Sequence, residues 1–200
     1  MMNITLAITG ASGTPYAKRL LQQLLVLRCH VHLVVSKAAQ MVMAVEDGEP
    51  WPANHTKLIE FVRDNISADG DISVYGKEDW MSPIASGSGA PDTMIICPCS
   101  TGTLASVATG QCDNLIERAA DVVLKEGGNL ILVVRETPLS EIHLQNMLTL
   151  KKAGAVILPA APGFYHHPES VDDMIDFIVA RILKCVGLPQ ILLKPWGSES

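Results

Sequence analysis

The sequence predicts a protein of the α/β class on the basis of two observations. Short apolar segments rich in β-branched residues alternate along the chain with longer segments of helical periodicity. The apolar segments are nearly continuous, and strands that are apolar on both faces belong in a parallel sheet covered by helices on both sides. We therefore expect a Rossmann-like (flavodoxin-like) three-layer fold. A chain of 200 residues without repeats or linkers fits a single domain, residues 1–200, with a complete core.

Five strands are expected from short runs such as LILVV, at Asn3–Thr9, His30–Val35, Thr93–Cys97, Leu130–Val134 and Ala155–Leu158. Helical patterns fill the intervals, at Lys18–Leu27, from about Lys37, and at Asn114–Lys125, Ser140–Lys152 and Val171–Lys184. The segment Asp47–Gly89 has the least regular pattern and contains Trp51 and Trp80. We interpret it as an insertion or a long loop that can act as a lid.

Composition excludes several classes of protein. Hydrophobic residues make up 48% of the chain and charged residues 18%, so part of the apolar surface is expected to be buried between subunits of a homo-oligomer. The net charge of -6 argues against nucleic-acid binding, which needs a basic surface. The five cysteines are irregularly spaced, which favours a reducing compartment. No apolar run reaches the length of a membrane span, and the first residues lack the pattern of a signal peptide, so we expect a cytoplasmic protein that does not bind membranes.

The chemistry is expected beyond the carboxyl ends of the strands, where open α/β sheets bind ligands. Small residues, hydroxyls and charges follow the strands at Gly10–Gly13, Ser36–Lys37, Ser100–Thr103, Arg135–Glu136 and Pro162–His167. Because the carboxyl ends of parallel strands meet at one edge, these groups indicate a single cleft.

Two strand-to-helix turns are candidate binding elements. In Gly10-Ala11-Ser12-Gly13 the glycines allow the backbone to approach a ligand, and free N–H groups at the helix start favour an anion. The alternative is an ordinary turn with Ser12 as N-cap. The Ser100-Thr101-Gly102-Thr103 turn is a second hydroxyl-rich helix start, and capping is again its alternative. Together the two turns offer sites for a phosphate and for the polar edge of a ring.

The candidate cations are Arg118, Lys125, Arg135 and Arg181. Arg118 and Lys125 lie seven residues apart and so share one face of a helix, where salt bridges with Glu117 and Asp121 are the alternative to a binding role. Arg135 follows a strand directly and has Glu136 beside it. This pair fits phosphate binding and proton transfer, and a structural ion pair is its alternative.

A metal site is not expected. Asp172-Asp173-Met174-Ile175-Asp176 matches the DDxxD pattern of magnesium-dependent isoprenyl diphosphate enzymes, but those enzymes are all-helical and carry a second acidic motif. Ser170 and Asp173 instead have the spacing of a capping box, so we interpret the acids as a helix N-terminus.

In this order, the segments resemble the UbiX family of flavin prenyltransferases, formerly described as 3-polyprenyl-4-hydroxybenzoate or aromatic-acid decarboxylases. The resemblance covers essentially the whole chain. The segments that carry it are TGASG (Thr9–Gly13), SKAA (Ser36–Ala39), SPIASGS (Ser82–Ser88), CPCSTGTLA (Cys97–Ala105), NLIERAADV (Asn114–Val122), Arg135–Leu139, HLQNMLTL (His143–Leu150) and PAAPGFYH (Pro159–His166).

The resemblance implies a metal-independent reaction that joins the dimethylallyl group of dimethylallyl monophosphate to N5 and C6 of reduced FMN. The product, prenylated FMN, would serve UbiD-type decarboxylases, including those of ubiquinone biosynthesis, and the oligomer would be a dodecamer. FMN would be held by Gly10, Ala11, Ser12, Ser36, Ser100, Thr101, Gly102, Thr103 and Arg135.

The resemblance also implies the remaining roles. The prenyl substrate would be bound by Ser86, Lys125, Tyr165 and Arg181, with Arg118 nearby and Trp80 beside the prenyl group. Glu136 would be the acid/base, with Glu46 a possible helper. An aromatic wall suits a developing allylic cation, which agrees with the implied place of Trp80.

Three other activities compete with this interpretation. FMN-dependent cysteine decarboxylases share the flavin-binding turns, but the segment His143–Leu148 lacks the proline and tryptophan of their PxMNxxMW-like motif. A non-catalytic FMN carrier would share the turns without needing Glu136 or Arg181. A direct aromatic-acid decarboxylase would need a separate site for the acid, which we do not find in the sequence.

Overall fold

The computed structural model describes residues 1–48, 50–67, 69–194 and 197. Its strands are β1 (Asn3–Ile8), β2 (His30–Val35), β3 (Asp71–Tyr75), β4 (Thr93–Cys99), β5 (Asn129–Val134) and β6 (Val156–Ile157). Its helices are α1 (Thr14–Val26), α2 (Lys37–Glu46), α3 (His55–Asn65), α4 (Thr101–Ala108), α5 (Leu115–Lys125), α6 (Glu141–Lys152) and α7 (Val171–Cys185), with a 3-10 turn at Pro83–Ala85.

The strands form one parallel sheet in the order β3-β2-β1-β4-β5-β6. This is the order of Rossmann sheets, in which successive strands are added first on one side of β1 and then, from β4 onward, on the other, leaving a crevice between β1 and β4 at the carboxyl edge. The predicted three-layer fold is confirmed.

Two hydrophobic clusters cover the two faces of the sheet. One joins alternate strand residues such as Leu6 and Leu33 to α1, α3 and α7, together with Ala39 and Met43 of α2. The other joins the remaining strand residues, such as Ala7 and Val34, to α4, α5 and α6. Helices α5 and α7 therefore lie on opposite faces, and this separation decides where the site residues sit.

Helix starts follow the capping rules closely. Six helices begin after a serine or asparagine whose side chain accepts a hydrogen bond from a backbone N–H of the first turn. The predicted capping box of Ser170 and Asp173 is confirmed, because each side chain accepts from the other residue's N–H. The expected helices at Asn114 and Ser140 begin one residue later, since these residues are the caps.

The interpretation of Asp47–Gly89 as an insertion or long loop is wrong for two stretches, which form α3 and the edge strand β3. No residue of the strand DISVY is fully buried, although its alternate residues Ile72 and Val74 pack in part against the core. Helix α3 contributes only Leu58 and Val62 as fully buried residues. Such half-buried elements at a sheet edge carry a weak hydrophobic pattern. Within this segment, Glu49 and Ala68 lie outside the described residues.

Two further bounds differ from expectation. Helix α1 begins at Thr14 rather than Lys18, because Pro15 is accommodated in the first turn, where its missing N–H costs nothing. Strand β6 is only Val156–Ile157, pairing with Ile131 and Leu132 of β5.

Candidate active site at the carboxyl edge of the sheet

The crevice between β1 and β4 is closed at its base by Thr9. The Thr9 hydroxyl donates to the Pro98 carbonyl (2.9 Å) and accepts from the Ser100 N–H (2.8 Å). This bridge fixes the turn after β1 against the turn after β4, so the two predicted binding turns face one crevice. The sequence analysis did not identify Thr9 as a bridging residue. The available sign was its position directly before the Gly-rich turn.

The start of α1 is already occupied by a carboxylate of the chain itself. Glu46, the last residue of α2, accepts hydrogen bonds from the N–H groups of Gly13 (3.0 and 3.1 Å) and Thr14 (2.8 Å). Burial alone would raise the pKa of Glu46, but hydrogen bonds from Ser12, Thr14 and Gly13 hold that pKa below its ordinary value. The N-cap is Gly13, without a side-chain cap, so the alternative of Ser12 as N-cap is wrong.

The turn after β1 also packs closely on α2. A Cβ at Gly10 would lie 2.4 Å from the Cβ of Ala38, closer than two carbon atoms can approach, so only glycine allows the turn to pack this closely on α2. Ser36 begins α2 and accepts from the Ala39 N–H (3.0 Å). The expected binding residues Gly10, Ser12 and Ser36 therefore line the same side of the crevice.

The start of α4 is open. Ser100 accepts from the Thr103 N–H (3.3 Å) and donates to the Thr103 hydroxyl (3.0 Å), which confirms a helix start here. A Cβ at Gly102 would meet no atom within 4 Å. Among the described residues no carboxylate is hydrogen-bonded to this turn, in contrast to α1. A helix start with hydroxyls and open space fits the phosphate of FMN.

Arg135 and Glu136 do not form the ion pair that was their alternative. Arg135 donates through Nε to the Ser12 carbonyl (3.0 Å), which ties the end of β5 to the turn after β1. Exposed Glu136 accepts from the Thr137 N–H (3.0 Å). Neither side chain takes part in an ion pair in the described part of the chain. Arg135 therefore reaches the turn after β1, and Glu136 follows it at the carboxyl end of β5.

Arg118 and Lys125 lie on α5 beside the 3-10 turn. Arg118 donates to the Ala85 carbonyl (3.0 Å) and pairs with Asp121 (2.9 Å), while Lys125 pairs with Glu126. The alternative of a salt-bridge network is confirmed for Arg118 and Asp121, but its link between Asp121 and Lys125 is wrong. Its other part, a link to Glu117, is also wrong, because Glu117 accepts from the Asp113 N–H (2.8 Å).

Ser86 follows the 3-10 turn at the same place. Its hydroxyl lies 3.3 Å from that of Ser88, and the next residue, Gly87, is packed against the side chain of Glu126. A group of hydroxyls and cations thus forms where α5 meets this turn. Because α5 is an 11-residue helix running away from the crevice, Lys125 stands about 15 Å along it from its first residue.

Tyr165 and Arg181 belong to the other face of the sheet. Tyr165 packs edge-on to Phe177 of α7 with ring centroids 5.7 Å apart, and Arg181 is one turn further along the same helix. The sheet separates this pair from Lys125 on α5 and from Ser86, which follows the 3-10 turn beside α5. One copy of the chain therefore does not bring all the expected substrate-binding residues together.

Trp80 lies in the turn after β3 and is 42% exposed, beside Met81, which is 98% exposed. Together with Tyr75 and Glu78 they line an open surface cavity of about 460 Å³. The cavity has the aromatic wall expected for a prenyl group, although it is open to solvent on this chain alone.

The described residues include neither a metal-binding cluster nor a membrane-spanning helix. No group of three or more His, Cys, Asp or Glu side chains there is arranged to hold a metal ion. No helix there is long and apolar enough to cross a membrane. Of the acids in the DDxxD pattern, Asp173 caps α7 and Asp176 pairs with Arg19 (2.6 Å).

The chain is similar to known flavoproteins over nearly its whole length. The model of the Flavoprotein family matches residues 1–183. The flavin prenyltransferase UbiX of Pseudomonas aeruginosa is 58% identical over 197 residues, covering 98% of this chain and 94% of the relative.

Two solved structures extend the match. AnUbiX (PadA1), solved in complex with FMN and dimethylallyl pyrophosphate, is 40% identical with a TM-score of 0.86, covering 100% of this chain and 99% of that one. A dodecameric FMN-dependent Ubix-like decarboxylase from Escherichia coli O157:H7 is also 40% identical with a TM-score of 0.86, covering 98% of this chain and 100% of that one. The chain therefore belongs to the flavoprotein family and, within it, to the UbiX flavin prenyltransferases.

Proposed function

We propose that the protein transfers the dimethylallyl group of dimethylallyl monophosphate to reduced FMN. Reduced FMN supplies the nucleophilic N5 and, later, the ring carbon C6. The C1–O bond of the substrate breaks as C1 bonds to N5, phosphate leaves and N5 loses its proton. The prenyl C2 then takes up a proton as C6 bonds to C3, and C6 finally loses its own proton. The observation that best supports this proposal is the crevice in which an open helix start, two hydroxyl-lined turns and Arg135 converge.

FMN is proposed to lie across this crevice. Its phosphate would bind the start of α4 through Ser100, Thr101, Gly102 and Thr103, because Glu46 already fills the start of α1. Its ring would lie over Gly10, Ala11 and Ser12, with Ser36 and Arg135 at the sides. This arrangement puts Ser12 and Glu46 near the reacting edge of the flavin.

The leaving phosphate is proposed to be bound by residues from different copies. Ser86, Arg118 and Lys125 would come from one copy, and Tyr165 and Arg181 from another, because the sheet separates the two sets in one chain. Cations and hydroxyls stabilise the charge that grows on a departing phosphate without requiring a metal ion. The dodecameric relative supports this assignment, and we propose the same assembly here.

Three side chains are proposed to act on the reacting atoms. Trp80 would cover the prenyl group and stabilise positive charge on it through its ring face. Glu136, exposed at the crevice, would take the proton from C6. Glu46 would assist through its hydrogen bond with Ser12.

We further propose a cytoplasmic location and a product passed to a UbiD-type decarboxylase, including that of ubiquinone biosynthesis. The reaction consumes reduced flavin, which suits a reducing compartment, and Cys97 and Cys99 of β4 are buried free thiols.

The test is anaerobic incubation of the protein with reduced FMN and dimethylallyl monophosphate, without added metal, followed by mass spectrometry of the released flavin. We expect a flavin heavier by about 68 Da, the mass of one C5H9 group replacing hydrogen. Unmodified FMN released from folded, flavin-loaded protein would overturn the proposal. Omitting the monophosphate provides the control.

A further inference from the structure

Three aromatic rings pack together where the loop after β6 meets α7. Tyr165 is edge-on to Phe177, with centroids 5.7 Å apart and planes at 73°. It is also edge-on to His166, at 5.9 Å and 78°. His166 in turn stacks on Phe177, at 5.2 Å and 20°. Edge-to-face and offset stacks at these distances are favourable arrangements, so the three rings support one another.

Phe177 gives the cluster a rigid base. It is 8% exposed and belongs to the core beneath α7. Tyr165, by contrast, is 52% exposed and follows Phe164, which is 70% exposed. A half-exposed side chain on such a loop would normally lose rotamer freedom when it binds a ligand. The contacts with Phe177 and His166 fix the tyrosine ring in advance.

Gly163 makes room for the tyrosine ring. A Cβ at this position would lie 2.8 Å from Cε1 of Tyr165 and 3.2 Å from Cζ of Phe177. Real Cβ atoms essentially never come as close as the first distance, so any side chain at position 163 must displace Tyr165. The backbone of Gly163 is not in the left-handed region, so conformational freedom is not the reason for a glycine here.

His166 contributes its ring rather than its polar atoms. Both of its nitrogens are buried, and neither has a hydrogen-bond partner among the described residues. Buried polar atoms without partners are normally unfavourable, so the histidine is held in place by its ring contacts. A phenylalanine of similar shape is therefore expected to preserve the cluster.

We infer that Gly163, His166 and Phe177 are positioning residues that hold Tyr165 beside Arg181 to bind the phosphate of the prenyl substrate. Phe177 and Arg181 are four residues apart on α7 and so share one face of the helix, and Tyr165, packed on Phe177, lies within about one helical turn of Arg181 along that face. This inference rests on the proposed function, because it takes the role of Tyr165 in substrate binding from it.

The test measures the dissociation constant of dimethylallyl monophosphate by calorimetry on protein loaded with oxidised FMN, which cannot react. Gly163→Ala keeps the tyrosine but displaces it, so we expect a dissociation constant raised about tenfold, as for loss of one hydrogen bond to a charged group. Tyr165→Ala should have a similar or larger effect. In the Tyr165→Ala background the close approach to the tyrosine is gone and only the 3.2 Å approach to Phe177 remains, so Gly163→Ala should have a much smaller further effect.

His166 provides a second pair of variants if Gly163→Ala folds poorly. His166→Phe should bind the monophosphate within about twofold of wild type, while His166→Ala should resemble Gly163→Ala. Two outcomes would overturn this inference alone, provided that wild type binds the monophosphate and prenylates FMN. In the first, Gly163→Ala raises the dissociation constant as much in the Tyr165→Ala background as in wild type. In the second, neither Gly163→Ala nor His166→Ala changes the dissociation constant. Failure of wild type to prenylate reduced FMN would instead overturn the proposed function.

Discussion

The carboxylate of Glu46 lies 2.8 Å from the backbone nitrogen of Thr14, and through this contact the end of one helix fills the anion-binding start of another. The N–H groups at a helix start carry partial positive charge, which a carboxylate satisfies as well as a phosphate does. The start of α1 is therefore occupied while the start of α4 is open, which is why we propose the start of α4 as the site of the FMN phosphate.

Removing the Glu46 carboxylate is expected to free the start of α1 for other anions. Glu46→Ala should lower the free energy of unfolding by about 1 kcal/mol, a modest value because the side chain is exposed. It should also make the melting temperature of the FMN-free protein rise more steeply with inorganic phosphate than in wild type. Asp47→Ala is the control, since this neighbouring acid makes no side-chain hydrogen bond among the described residues. Identical phosphate responses in wild type and Glu46→Ala would count against a filled anion site.

Loss of the Ser100 hydroxyl is expected to weaken FMN binding specifically. Ser100→Ala and Ser170→Ala each remove an N-cap, so each should cost about 1 kcal/mol of stability. Only Ser100→Ala should raise the dissociation constant of FMN, by about tenfold, because only that cap lies at the proposed phosphate site. Fluorescence titration of both variants checks this. Equal FMN affinities in Ser100→Ala and Ser170→Ala would mean that the phosphate does not bind at the start of α4.

Glu136→Gln is expected to separate the two bond-forming steps. Glutamine keeps the size of the side chain but cannot accept the C6 proton, so formation of the C6 bond should slow by about 100-fold or more. The N5 bond should still form at a rate near that of wild type. Single-turnover absorbance with quenched-flow mass spectrometry follows both steps. A wild-type rate of ring closure in Glu136→Gln would remove Glu136 from the mechanism.

The free energy of unfolding is expected to decrease as the pH falls, because His32 resists protonation in the folded chain. This side chain is 7% exposed, and burial together with the neighbouring His30 lowers its pKa from 6.5 to about 4. The unfolded chain therefore binds a proton that the folded chain resists. The stabilising contribution is complete above about pH 6.5 and is lost as the pH falls toward about 4, amounting to about 1–3 kcal/mol.

Urea unfolding of wild type between pH 4.5 and 7.5 measures this dependence. In His32→Gln, which does not titrate, the slope of unfolding free energy against pH should be shallower. His55→Gln, a change at an exposed histidine, should leave the slope as in wild type. The same slope in wild type and His32→Gln would contradict the role assigned to His32.

The sequence was most informative where a residue's role depends on its own strand or helix. Five strands, the Ser100 helix start and the Ser170 capping box follow from local patterns of apolar and capping residues. The edge strand β3 was missed because only one of its faces is apolar. The contacts of Glu46 with Gly13 span 33 residues, and no local pattern indicates which acid reaches a given helix start.

The distribution of the cations was also beyond the sequence. Arg118, Lys125 and Arg181 all lie on helices with clear periodicity, and that periodicity does not say which side of the sheet each helix covers. Only the assembled core places α5 and α7 on opposite faces. The prediction of one cleft agrees with the contacts among the turns after β1, β4 and β5, whereas Tyr165, after β6, packs on α7, and the helix cations lie on both sides of the sheet.

The central claim, that two copies complete one substrate site, is tested most directly by mixing inactive variants. Lys125→Ala and Arg181→Ala chains, differently tagged, would be co-expressed and the hybrid oligomers purified and assayed for prenylated FMN. If Lys125 and Arg181 of one site come from different copies, random assembly leaves about a quarter of the sites intact, so about a quarter of wild-type activity should return. Co-expression of Lys125→Ala with Arg118→Ala, both on α5, should restore none. Hybrid oligomers of Lys125→Ala and Arg181→Ala that remain as inactive as either parent would contradict the claim.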